Sequence, residues 1–81
     1  NFKPAAEEFF WLTQNGSNPT TAYYFLAICL DRLEDYPAAL ENYKRFLMLA
    51  DPVKNKLEIE KVQLRLPGLE KQAKSGKSKK S

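Results

Sequence analysis

Between Thr20 and Ala50 the apolar residues fall at helical intervals, in two runs. Ala22, Tyr23, Phe25, Leu26, Ala27, Cys29, Leu30 and Leu33 form the first. They cover so much of a helix that it must be packed on at least two sides. In the second, Ala39, Leu40, Tyr43, Phe46 and Leu47 keep the three-and-four spacing of a one-sided stripe. Glu41, Asn42, Lys44 and Arg45 take its opposite face. Asn18 and Pro19 supply an N-cap and a first-position proline for the first run, and Asp35 and Pro37 offer a cap and a first-turn proline to the second. The spacing predicts helices ending near Leu33 and Ala50. Ala27 and Ala39 are the small residues where the two backbones should come close.

The flanks continue this organisation. Upstream, Ala5, Phe9 and Leu12 form a stripe with Pro4 in its first turn and Gly16 at its stop, which predicts a helix over about residues 3–15. When this segment is slid along the chain until Phe2 falls on Tyr36, Ala5 falls on Ala39, Phe9 on Tyr43 and Leu12 on Phe46. After Asp51-Pro52 comes a narrower stripe, Leu57, Ile59, Val62, Leu66 and Leu69, with charges filling the gaps. Such a helix covers the open side of the pair with one face and meets water with the other. Pro67 interrupts it, since it cannot donate to the carbonyl of residue 63 and crowds it. The stripe carries on past Pro67, so a kinked helix running to about Lys74 is expected. No apolar residue follows Ala73, and residues 75–81 are expected to be disordered.

The central stretch reads Tyr23-x2-Leu26-Ala27-x2-Leu30, then Ala39-x3-Tyr43, with Phe46 one turn on and Pro52 at the end. The tetratricopeptide pattern is W-x2-L-G-x2-Y, then A-x3-F, then P, over about 34 residues. Thr20 to Pro52 therefore resembles a tetratricopeptide (TPR) repeat, and the offset of Phe2 from Tyr36 matches its period. The stretch departs from the pattern in Tyr for Trp, Ala for Gly, Leu for Tyr, a Pro52 one residue late, and Glu34 in place of a frequent Gly at the inter-helix turn. The resemblance implies an all-α, right-handed, antiparallel helix–turn–helix stack of three to four helices, a fragment of an α-solenoid. Residues 1–17 would be the second helix of a preceding, truncated repeat and 18–52 a complete helix pair. Residues 53–70 would be a capping helix kinked at Pro67, and 71–81 a basic flexible tail. With no initiating Met, the chain is expected to be cut from a longer scaffold.

The resemblance also implies a function. First helices of TPR repeats line a concave groove that takes peptides or partner helices. The corresponding positions are Thr21, Tyr24, Ile28, Asp31 and Arg32, with Tyr24 and Ile28 as an apolar platform and Asp31 and Arg32 as polar ends. A protein–protein interaction module follows as the expectation. A clamp for acidic chaperone tails does not, because Tyr24, Phe25 and Ile28 stand where that subtype uses Lys, Arg and Asn.

Charge adds an alternative. The chain carries a net +3, yet Asn1–Glu70 holds eight Lys/Arg against ten Asp/Glu, while Lys71–Ser81 holds five Lys and no acid. A Lys-rich tail can bind nucleic acid or an anionic surface. Here it lacks interleaved aromatics for base stacking and any Arg for a bidentate fork, which ranks nucleic acid behind a protein partner. Phe10 and Trp11 lie off the Phe9 seam, facing either a missing preceding helix or a self-association surface that would make a weak homo-oligomer. Glu7 and Glu8 point about 100° apart and are expected to complement the positive end of the first helix.

Chemistry finds little to work with. Histidine is absent, and one cysteine, Cys29, rules out an internal disulfide and reads as a small buried side chain. No phosphate loop, paired-cysteine metal pattern or nucleophile elbow occurs. The sequence leads us to expect neither an enzyme nor a metal or cofactor site. No apolar run reaches the roughly 18 residues of a membrane span.

Overall fold

The computed structural model describes residues 1–75. It contains four helices, α1 (Phe2–Asn15), α2 (Pro19–Arg32), α3 (Tyr36–Leu49) and α4 (Lys56–Lys74), and no strand among the described residues. Each helix packs on the next in sequence, so the chain is an all-α helix–turn–helix stack. Helices α1 and α3 are the same length. They start at Phe2 and Tyr36 and stop at Asn15 and Leu49, so a single offset along the chain relates both ends.

Helix α2 lies between two apolar clusters, which accounts for its broad apolar surface. On one side Leu26 and Cys29 pack with Ala6, Phe9 and Leu33. On the other, Ala27 meets Ala39, Tyr43 and Phe46 of α3, with Val62 and Leu69 of α4 closing the cluster. Ala27 and Ala39 are wholly buried, as two helices in close approach require. Cys29 is buried, and burial raises its thiol pKa. On α1 the buried pair is Ala6 and Thr13, one residue round from the expected Ala5 and Leu12, which are half-buried. Thr13 tolerates burial because its hydroxyl donates to the Phe10 carbonyl at 2.6 Å and accepts from Gln14 at 3.0 Å.

The helix ends follow local chemistry. The Asn18 side chain accepts from the Thr21 N–H at 3.3 Å, ahead of Pro19. Helix α2 stops in a Schellman arrangement, with Glu34 N–H bonded to Asp31 O at 3.0 Å and Asp35 N–H to Leu30 O at 2.9 Å. That motif needs a left-handed residue, and Glu34 supplies it at φ 65°. Asp35 precedes α3 but makes no side-chain cap bond, contrary to expectation; its carbonyl accepts from the Ala39 N–H instead.

Helix α4 starts later than the expected residue 53 and, as the stripe beyond Pro67 implied, runs past residue 70. The Asp51 carboxylate takes the N–H groups of Val53 (2.7 Å) and Lys54 (3.0 Å), while Asn55 reaches back to the Asp51 N–H. This turn delays the helix to Lys56. Pro67 then sits inside the helix, which continues to Lys74. Val62 and Leu69 are buried as expected, but Leu57 is 69% exposed and leaves the stripe. Glu7 and Glu8 fall beyond the first turn of α1, where the terminal dipole has faded. Apart from Ser75, which ends α4, the segment expected to be disordered lies outside the described residues. Among the described residues no helix is long and apolar enough to cross a membrane.

Candidate functional site

Helix α2 presents Tyr24, Ile28, Asp31 and Arg32 at intervals of four, three and one, along one side. Helix α4 faces that side with Lys61 and Arg65, and Tyr43 of α3 reaches in from below. These seven residues line an open groove of about 520 Å³.

Aromatic packing makes one wall. The Tyr24 ring lies 5.0 Å from that of Phe46, tilted at 44°, and meets Phe25 edge-on at 5.3 Å. Tyr24 and Ile28 are half-buried and also pack against the core, so the apolar platform is partly consumed by folding. Burial, and then the charge of Glu58, raise the Tyr24 pKa.

Charge makes the other wall. Arg65 donates from Nε to Asp31 Oδ2 at 2.8 Å and from Nη2 to Asp31 Oδ1 at 2.7 Å. The Tyr43 hydroxyl donates to the same Oδ2 at 3.3 Å. Burial raises the Tyr43 pKa strongly, and the Asp31 charge and hydrogen bond add to it. The hydrogen bond to Asp31 raises the Arg65 pKa in turn. Asp31 is thus a neutralised wall. Arg32 places its guanidinium 5.7 Å from the centre of the Phe2 ring. Lys61 makes no ion pair among the described residues. With Asp31 and Arg65 cancelling, the groove rim carries an excess of positive charge.

Of the five residues expected to bind, Tyr24, Ile28, Asp31 and Arg32 come together here. Thr21 does not: it borders a smaller pocket with Phe9, Leu12 and Ala22 between α1 and α2. Tyr43, Lys61 and Arg65 lie outside the expected set. In the sequence Arg65 reads as one more solvated charge on α4. Its one signal is that it follows Asp31 by the same offset that relates α3 to α1. Phe10 and Trp11 stand apart from the groove, each 58% exposed.

Among the described residues no group of three or more His, Cys, Asp or Glu side chains is placed to hold a metal ion. No family model, curated protein or solved structure matches the chain.

Proposed function

We propose that this chain is a protein–protein interaction module of the tetratricopeptide type, holding a peptide or helix of a partner in the groove between α2 and α4. The supporting observation is the convergence of Tyr24, Ile28, Asp31 and Arg32 on one open groove of about 520 Å³, rimmed by Lys61. A groove with an apolar wall and polar ends suits capture of a short segment by one or two apolar anchors. The equal length of α1 and α3, and the single offset between them, support the repeat reading.

Peptides selected from a random displayed library against the 81-residue chain provide the test. Binders should weaken at least roughly tenfold against Ile28→Asp and against the double charge reversal Arg32→Glu/Lys61→Glu. They should be unaffected by Thr21→Ala. The charge reversals sit on exposed side chains, so their loss cannot be put down to unfolding. Binders indifferent to both groove variants would place recognition elsewhere and sink the reading.

A further inference from the structure

We propose that copies of this chain associate head to tail, the outer face of α1 in one packing on the outer face of α4 in the next. This goes beyond the groove reading and does not rest on it, since Lys61 alone borders both surfaces.

Helix α2 is flanked by α1 and α3, and α3 by α2 and α4. Among the described helices only α1 and α4 keep an open flank. On α1 the inward residues are Ala6, Phe9 and Thr13. Trp11 is two positions from both Phe9 and Thr13, about 200° round the helix, and so faces outward. On α4 the inward residues Val62 and Leu69 are seven apart. Leu57 and Leu64, also seven apart, lie on the outer side and are 69% and 83% exposed. Positions 57, 61, 64, 68 and 71 alternate steps of four and three, the spacing of a helix–helix seam. Gly68 lies in that seam, exposed, and would let another backbone approach closely.

Charge selects the partner. The outer side of α1 carries Glu7 and Glu8, and that of α4 carries Lys61 and Lys71 against one acid, Glu60; none of the five has an ion pair among the described residues. Pairing α1 with α1 sets two acidic faces together, and pairing α4 with α4 sets together two faces of net positive charge. The mixed pairing joins faces of opposite net charge and lays Trp11 on Leu57 and Leu64. It also reproduces a relationship already present in the chain. Helix α3, the counterpart of α1 further along the chain, covers one side of α4, and α1 of the next copy would cover the other. A head-to-tail contact of this kind leaves one face of each kind free on a dimer, so it adds further copies until a ring closes or a filament grows.

Sedimentation velocity of the 81-residue chain, from low micromolar to sub-millimolar concentration, is the test. The wild-type chain should form species that grow past the dimer. Trp11→Asp alone, and Leu57→Asp/Leu64→Asp alone, should each associate at least roughly tenfold more weakly. Their equimolar mixture should give a one-to-one dimer and nothing larger, because each variant keeps the face that the other lacks. All three positions are exposed, and far-UV circular dichroism verifies the fold of each variant. A wild-type chain that stays monomeric throughout would assign the open flanks to other helices and overturn the proposal. So would a variant that dimerises alone as well as wild type, or a mixture that stays monomeric.

Discussion

Arg65 grips Asp31 with two parallel hydrogen bonds of 2.7 and 2.8 Å, tying α4 to α2 between positions far apart in the chain. The Asp31 side chain is only 16% exposed, so the fork holds a carboxylate that water barely reaches. A planar guanidinium fits a carboxylate in this way and an ammonium does not. The pair also lines one wall of the groove, so it bears on both the stability of the stack and the shape of that groove.

Removing the fork leaves Asp31 charged and under-solvated. Hydrogen bonds to charged groups contribute about 1.5–3 kcal/mol, and the 34% exposure of Arg65 argues for the lower end. Arg65→Met should therefore lower urea stability by about 1.5 kcal/mol. Arg65→Lys should recover less than half of that loss. The exposed Arg45–Glu41 pair is the control, and Arg45→Met should leave the urea midpoint where it was. Equal losses at the two sites would deny the fork its role.

Tyr43 makes the same cluster sensitive to alkali. Its folded pKa lies well above the usual 10.0 of the phenol, first through burial and then through Asp31. The unfolded chain gives up this proton at lower pH than the folded one. The contribution is therefore complete below pH 10.0 and is lost as the pH climbs from there towards the folded value. Tyr43→Phe should cost about 0.5 kcal/mol at neutral pH, since a 3.3 Å hydrogen bond is a weak one. Above pH 10.0 the variant should lose stability less steeply than wild type, with a residual slope from Tyr24 and Cys29, whose pKa values are also raised. Urea midpoints measured across that range decide it; parallel curves would mean that Tyr43 does not titrate late.

The helices themselves are legible because their apolar spacing is strong, and Ala27 and Ala39 stand out as contact residues by their size. Other features depend on geometry that spacing does not carry. The start of α4 falls later than periodicity alone implies, because the Asp51 carboxylate collects two N–H groups and holds a turn there. On α1, Ala5 and Ala6 are equally suited to burial, and packing against α2 chose Ala6. In the groove, Tyr24 and Ile28 follow from their face of α2. Arg65 and Lys61 come from a helix whose rotation about its own axis the charges do not determine, and Leu57 leaves the stripe for the same reason.

Glu34 occupies a conformation that suits glycine. A side chain at φ 65° costs roughly 1–2 kcal/mol, while glycine adds entropy to the unfolded chain. Glu34→Gly should raise stability by about 0.5–1 kcal/mol. Glu34→Ala should give no comparable gain, because its Cβ keeps the strain. Thermal unfolding of the two variants side by side separates relief of the backbone from loss of the charge.

Pro67 interrupts the hydrogen-bond ladder of α4 without ending the helix. An interior proline costs a helix about 3 kcal/mol, part of which returns because proline also restricts the unfolded chain. Pro67→Ala should stabilise the protein by about 2 kcal/mol in urea unfolding. No gain would mean that α4 already accommodates the ring at this point.

Two glycines should respond to alanine with opposite signs. At Gly16 the backbone is in the extended region at φ −82°, open to any residue, so strain is not the issue. A methyl group there would instead stand 2.8 Å from the Leu12 carbonyl oxygen and 3.3 Å from its side chain, and the backbone would have to move. Gly16→Ala should cost about 1 kcal/mol, as overpacking does. At Gly68, inside α4, a methyl would meet only the Arg65 guanidinium at 3.6 Å, an ordinary contact. Alanine is the better helix former by about 1 kcal/mol, so Gly68→Ala should stabilise the monomer by nearly that amount. Urea unfolding in dilute solution, where self-association cannot contribute, checks both. A matching sign at the two positions would mean that helix propensity, not the Leu12 contact, governs Gly16.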